Sequence, residues 1–213
     1  MNLPIHREGY PFIALFAAVN LLAFLLAGWL GWLLLPVTIW CIAFFRDPER
    51  NTPTGENLVI CPADGKLLPI VEAAPPAELG MGDAPRVRLS IFMNVFNVHV
   101  NRNPVSGQVT ALSYRPGKFF NASFDKASID NERMSVRVKA DTGQELAYVQ
   151  IAGLVARRIV CELNQGQSVV RGQRFGIIRF GSRVDVYLPP GCEILVTAGM
   201  KTTAGETVLA RLV

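Results

Sequence analysis

The sequence predicts a mainly β domain, a sandwich or barrel-like fold with few short helices, preceded by an N-terminal α-helical hairpin of membrane type. Three observations predict it. Residues 9–45 contain no Asp, Glu, Lys, Arg or His and are dense in Leu, Ala, Phe and Trp. From residue 51 onward, short β-branched runs are punctuated by Gly, Pro, Asn and Asp. No helical periods alternate with those runs as a doubly wound sheet requires. A chain of 213 residues suits one core plus a membrane element rather than two large domains.

The apolar run comes first. One straight span needs about 20 apolar residues, so this run is too long for one and barely long enough for two. Gly28, Gly31 and Pro36 interrupt it, which predicts a tight hairpin with helices over Tyr10 to Ala27 and Trp29 to Phe45. Arg7 precedes the run and Arg46 and Arg50 follow it. The positive-inside tendency therefore places both ends, and the rest of the chain, on the cytoplasmic face of the cell membrane. A cleavable signal peptide would have a much shorter apolar region followed by small residues. Residues 1–50 are thus read as a membrane-associated hairpin and residues 51–213 as a β-rich domain.

In that domain the candidate strands are 58–61, 66–72, 87–92, 107–114, 134–140, 146–152, 159–161, 174–178, 185–187, 192–196 and 208–212, with one short helix at 155–158. Formal charge is 21 − 17 = +4, a mild excess that suits an anionic membrane surface. Nucleic acid is not expected, because the basic residues are scattered and the aromatics cluster in the apolar run. Cys41, Cys61, Cys161 and Cys192 form no CxxC pair and have no His nearby, so no metal site is expected and reduced thiols are.

Three segments could carry chemistry. Pro62-Ala63-Asp64-Gly65-Lys66 reads by itself as a turn between apolar runs. His99, in Val95-Phe96-Asn97-Val98-His99-Val100-Asn101-Arg102, is the one imidazole placed for proton transfer near neutral pH, since His6 borders the membrane segment. Phe180-Gly181-Ser182-Arg183-Val184-Asp185 reads as a Gly-Ser turn before a strand, and lacks the GxSxG of a hydrolase elbow.

Taken in this order, PADG, VHVNRNPVSG and FGSRVDVYLP resemble the phosphatidylserine decarboxylase family, in its short form, over nearly the whole chain. Supporting stretches are Phe44-Phe45-Arg46-Asp47-Pro48-Glu49-Arg50, Pro116-Gly117-Lys118-Phe119-Phe120-Asn121-Ala122 and Asn131-Glu132-Arg133. The resemblance implies a zymogen that cleaves itself between Gly181 and Ser182 into residues 1–181 (β chain) and 182–213 (α chain). Ser182 would become a covalent pyruvoyl (pyruvic acid) cofactor. It further implies that Ser182, His99 and Asp64 act as nucleophile, base and orienting group, the logic of a hydrolytic triad. The activity implied is decarboxylation of phosphatidylserine to phosphatidylethanolamine and CO2 through a Schiff base on that group, with His99 supplying the proton. Partners would be membrane lipid and the αβ pair of cleavage products. Lys118, Arg102 and Arg133 are conceivable partners of the phosphate and carboxylate, and a surface role suits each at least as well.

Two departures from the family pattern stand out. Phe96 occupies the place of a second His in longer members, so that residue's role does not carry over. The cleavage segment reads Phe-Gly-Ser where other members have Leu-Gly-Ser. Two other readings fit the residues. Gly199-Met200-Lys201 and Ala204-Gly205-Glu206-Thr207 are similar to the turns of biotinyl and lipoyl carriers, with Lys201 as the modified residue; Thr202 stands where the biotin pattern has Met. That likeness points to a barrel-sandwich hybrid shape. A non-enzymatic membrane scaffold predicts an uncut chain.

Overall fold

The structure is a computed structural model that describes residues 4–120, 122, 127–153, 158–179 and 181–213. It divides into two units, Met1–Glu49 with Val95–Val98, and Arg50–Asn94 with His99–Val213.

The first unit is a helical hairpin, α1 (Tyr10–Leu26) and α2 (Gly28–Phe44), within one residue of the expected ends. Pro11 sits in the first turn of α1, where its missing N–H has no helical partner to lose. The chain reverses at Ala27, which is extended at φ −158°. Two devices hold the helices together in an otherwise apolar pair. Asn20 Nδ2 donates to the Gly31 carbonyl at 3.0 Å, and the Phe24 ring lies where a Cβ on Gly31 would be. The base is closed by His6 N to Phe45 O at 2.9 Å and Asp47 N to Pro4 O at 2.7 Å. Trp40 Nε1 and Arg46 Nη2 donate to the carbonyls of Val95 and Phe96. Leu25, Leu26, Trp29, Trp32 and Leu33 are exposed. A pair of helices that are apolar all round needs lipid or a protein cover. By length and composition Arg7–Leu26 could cross a membrane, and Gly28–Phe44 is shorter. Seventeen residues rise about 25 Å.

The second unit is the β domain. Its strands are β1 (Leu58–Ile60), β2 (Gly65–Leu67), β3 (Val71–Ala73), β4 (Arg86–Met93), β5 (Val100–Arg102), β6 (Gly107–Arg115), β7 (Arg133–Ala140), β8 (Glu145–Ala152), β9 (Ile159–Cys161), β10 (Ser168–Val169), β11 (Arg174–Ile178), β12 (Ser182–Tyr187), β13 (Glu193–Ile194), β14 (Lys201–Thr202) and β15 (Val208–Arg211). The main sheet runs β10-β6-β7-β8-β12-β4-β2-β14, with β3 also on β4, and curls into a half-barrel. Two three-stranded sheets, β1-β15-β13 and β5-β11-β9, complete the domain. The β-rich expectation is borne out. The expected strand 66–72 is split into β2 and β3 around Pro69, which has no N–H to give to a ladder. Strand β12 starts at Ser182, so the serine lies in the ladder rather than in a turn. The helix expected at 155–158 falls, apart from Arg158, outside the described residues.

Alternation along β12 sorts its side chains. Val184 and Val186 join Leu89, Ile91, Met93, Leu146, Tyr148 and Ala152 in the main core. The opposite face carries a buried polar network. Arg183 donates through Nε and Nη2 to the Asp185 carboxylate at 2.5 and 3.0 Å, and Nη2 also reaches Ser90 Oγ. Ser128 Oγ donates to Asp185 Oδ2 at 2.8 Å, and Arg88 lies 3.9 Å from the same oxygen. Arg133 extends the network by pairing with Glu78. Burial raises the Glu78 carboxyl, but hydrogen bonds from Arg133, its own backbone and Ser135 outweigh that and hold it below its ordinary value. That pair therefore contributes fully above the unfolded carboxyl's pKa and is lost as pH falls through the folded one. Asp185→Ala would leave Arg183 buried without its counter-charge. The expected loss is about 3–5 kcal/mol, read as a lower guanidinium midpoint of the detergent-solubilised chain.

Candidate active site

Ser182 opens β12 between two antiparallel neighbours, opposite Met93 of β4 and Ala152 of β8. Its position in the alternation points it to the core side. The side chain is fully buried, and Oγ has no hydrogen-bond partner among the described residues. An unpaired buried hydroxyl costs about 1–3 kcal/mol, so its retention calls for a chemical reason.

Gly181 has φ +72°, a left-handed conformation that glycine adopts without strain. Its amide donates to His99 Nε2 at 3.2 Å. That bond requires a lone pair on Nε2, so the imidazole presents its basic nitrogen to the amide of Gly181, one peptide ahead of the Gly181–Ser182 bond. The Gly181 carbonyl lies against Gly153, where an added Cβ would come within 2.3 Å of the oxygen. Two glycines thus seat one carbonyl: Gly181 turns it and Gly153 makes room for it.

His99 is fully buried just ahead of β5, its carbonyl accepting from Ile178 N at 3.3 Å. The turn of Asp64 packs beside the same strand, because Pro62 O accepts from Arg102 N at 3.0 Å. Gly65 is required there, since a Cβ would strike the Phe92 carbonyl at 2.2 Å. Asp64 itself is held by Arg50 Nη2 at 2.8 Å on Oδ2 and by the Ala204 amide at 2.7 Å on Oδ1. The structure therefore brings His99 onto the amide of Gly181, the residue before Ser182. It places Asp64 nearby in the fold, with both oxygens on Arg50 and Ala204 rather than on an imidazole N–H.

Cys61 precedes that turn, and burial pushes its thiol up to about 12, which makes it inert at neutral pH. All four cysteines are free thiols. Arg133 and Arg102 are buried and used internally, on Glu78 and on the Gly172 carbonyl. Lys118 lies 5.7 Å from the Phe120 ring. Lys201, the rival carrier's lysine, is exposed in β14, paired with Lys66 of β2. Among the described residues no three His, Cys, Asp or Glu side chains gather as metal ligands would.

Sequence reasoning missed Gly153, and Arg50 as the partner of Asp64. Gly153 follows a strand-like run and looks like any strand-ending glycine. Its role depends on Gly181, 28 positions away in the chain but opposite it in space.

The phosphatidylserine decarboxylase family model matches residues 37–210. Over 209 residues the chain is 58% identical to a phosphatidylserine decarboxylase proenzyme of Cereibacter sphaeroides, covering 98% of this chain and 90% of that one. It is 61% identical to the proenzyme of Paramagnetospirillum magneticum (98% and 87%) and 56% identical to that of Ruegeria pomeroyi (98% and 95%).

Proposed function

Because this chain belongs to the phosphatidylserine decarboxylase family, we propose that it cuts itself between Gly181 and Ser182 and decarboxylates phosphatidylserine to phosphatidylethanolamine with the group so formed. The observation that carries the reading is the Gly181 amide on His99 Nε2, next in the chain to a buried Ser182 Oγ without a partner among the described residues.

His99 Nε2 takes the Ser182 hydroxyl proton as Oγ attacks the Gly181 carbonyl carbon, and returns it to the Ser182 nitrogen as the C–N bond breaks. The product is an ester between Gly181 and Ser182 Oγ. Removal of the Ser182 α-proton then expels the ester oxygen from Cβ. Gly181 is left with a carboxylate that keeps Oγ, and position 182 is left as dehydroalanine. One water replaces its nitrogen, ammonia departs, and a pyruvoyl group remains. The orphaned hydroxyl, the basic nitrogen and the turned carbonyl suit this chemistry. Once formed, the group supplies an electrophilic carbonyl that takes up an amine and accepts the electron pair left as CO2 departs. Of the chain's own groups, His99 is placed to deliver a proton there. Asp64 is assigned the orienting role, for which it exchanges Arg50 for the imidazole.

The ladder of β12 between β4 and β8 would hold the 182–213 fragment after the cut. The apolar hairpin would keep the β domain at the cytoplasmic face, where the substrate's acyl chains stay in lipid and its headgroup is concentrated near the site.

Intact-mass analysis of the purified protein tests this. Two fragments meeting at Gly181–Ser182 are expected, the smaller lighter by one ammonia than a Ser-initiated peptide. A single uncut chain overturns the reading. Gly153→Ala is expected to displace the scissile carbonyl and slow fragment appearance about 100-fold, since misplacement by about 1 Å can cost that much; the time course by mass or gel checks it.

A further inference from the structure

A second buried polar atom without a partner shares the face of Ser182. Gln150 of β8 is fully buried, and its Oε1 has no hydrogen-bond partner among the described residues. Gln150 pairs with Val184, and Ala152 with Ser182, so Gln150 and Ser182 are diagonal neighbours on adjacent strands, within reach of a long side chain.

A relay fixes which end of the Gln150 amide is vacant. Asn101 Nδ2 faces the Pro62 carbonyl at 3.5 Å and Met93 Sδ at 3.8 Å. A carbonyl demands a donor, so Asn101 turns its oxygen the other way. Gln150 Nε2 donates to that oxygen at 2.8 Å. Oε1 is left as a pure acceptor. Met93 is the cross-strand partner of Ser182, and Asn101 lies two residues beyond His99 on the same side of the strand. His99 on the Gly181 amide, Asn101 on Met93 and Gln150 diagonal to Ser182 therefore surround the start of β12.

From this arrangement we infer that Gln150 positions the substrate: its Oε1 accepts a hydrogen bond from the headgroup amine of an aminophospholipid, and Asn101 holds Gln150 in place. An acceptor on the N–H leaves the nitrogen lone pair free to point at the carbon of residue 182. The cost of burying a bare acceptor is then recovered when the amine enters, and an amine-free lipid leaves it unpaired. The inference rests on residue 182 becoming the reactive group.

The test compares wild type, Gln150→Met and Gln150→Glu on phosphatidylserine in mixed micelles. Gln150→Met keeps the length and removes the acceptor. It is expected to be cut at Gly181–Ser182 like wild type, with KM raised about 10–100-fold and kcat changed less than about fivefold. The lipid concentration that half-saturates cyanoborohydride capture on the small fragment, read by mass, is expected to rise with KM. Gln150→Glu, neutral when buried, keeps an acceptor and an O–H for Asn101, and its KM is expected within about threefold of wild type. An unchanged KM in Gln150→Met, or loss of cutting in it, overturns the inference. If Gln150→Met does not fold, a KM raised tenfold or more in Gln150→Glu overturns it instead. A wild-type chain that is never cut fails the proposed function itself, before any variant is compared.

Discussion

Ser182→Ala is expected to remain a single 23.3 kDa chain and to release no CO2 from phosphatidylserine. The substitution removes one oxygen. In the reading above that oxygen attacks Gly181, leaves with the Gly181 carboxylate, and by leaving creates the reactive group. No other hydroxyl stands in for it, because β12 holds residue 182 in register on both sides, against Met93 and Ala152. Folding should survive, since the lost hydroxyl makes no hydrogen bond among the described residues. Removing an unpaired buried polar atom is neutral or stabilising. A variant that is soluble, folded by circular dichroism, uncut and inactive satisfies the prediction. A variant that is cut at the same bond refutes the nucleophile.

His99→Ala is expected to slow fragment appearance by about 10⁴-fold or more, the scale on which nucleophile and base act as a unit. The imidazole accepts from the Gly181 amide, one peptide ahead of the scissile bond, through Nε2 at 3.2 Å, and a hydroxyl near neutral pH is a weak nucleophile without a base. Asp64→Asn should be milder, on the order of 10–100-fold less severe than His99→Ala, because an orienting group contributes less than the base it orients. Fragment time courses by intact mass rank the two. Equal rates for His99→Ala and wild type would remove His99 from the cleavage step. A more severe effect at Asp64 than at His99 would move the base.

Much of the architecture was legible because it rests on local patterns. The apolar run with a glycine break gives two helices within one residue of their expected ends. Short β-branched runs bounded by turn residues mark the long strands, such as β6 and β7. Of the short strands, β5, β10 and β14 were missed: β5 has Asn101 and Arg102 buried where a sequence reads them as polar. Their burial is stabilised by partners far along the chain, Gln150 and the Gly172 carbonyl. Arg183 and Asp185, which carry charge in the sequence, form a buried ion pair.

What the sequence determined by itself is the inventory: an apolar hairpin, a β-rich remainder, one suitable imidazole, and a Gly-Ser pair that the ordered motifs single out. The tertiary structure decided the relations among them. It set His99 Nε2 on the Gly181 amide, gave the Gly181 carbonyl its seat at Gly153, put Asp64 on Arg50, and left two buried oxygens, Ser182 Oγ and Gln150 Oε1, without partners among the described residues. Each of these is a contact of a few ångströms between residues many positions apart. Propensity and periodicity act over one or two turns of chain, whereas strand register and close packing fix which distant atoms meet.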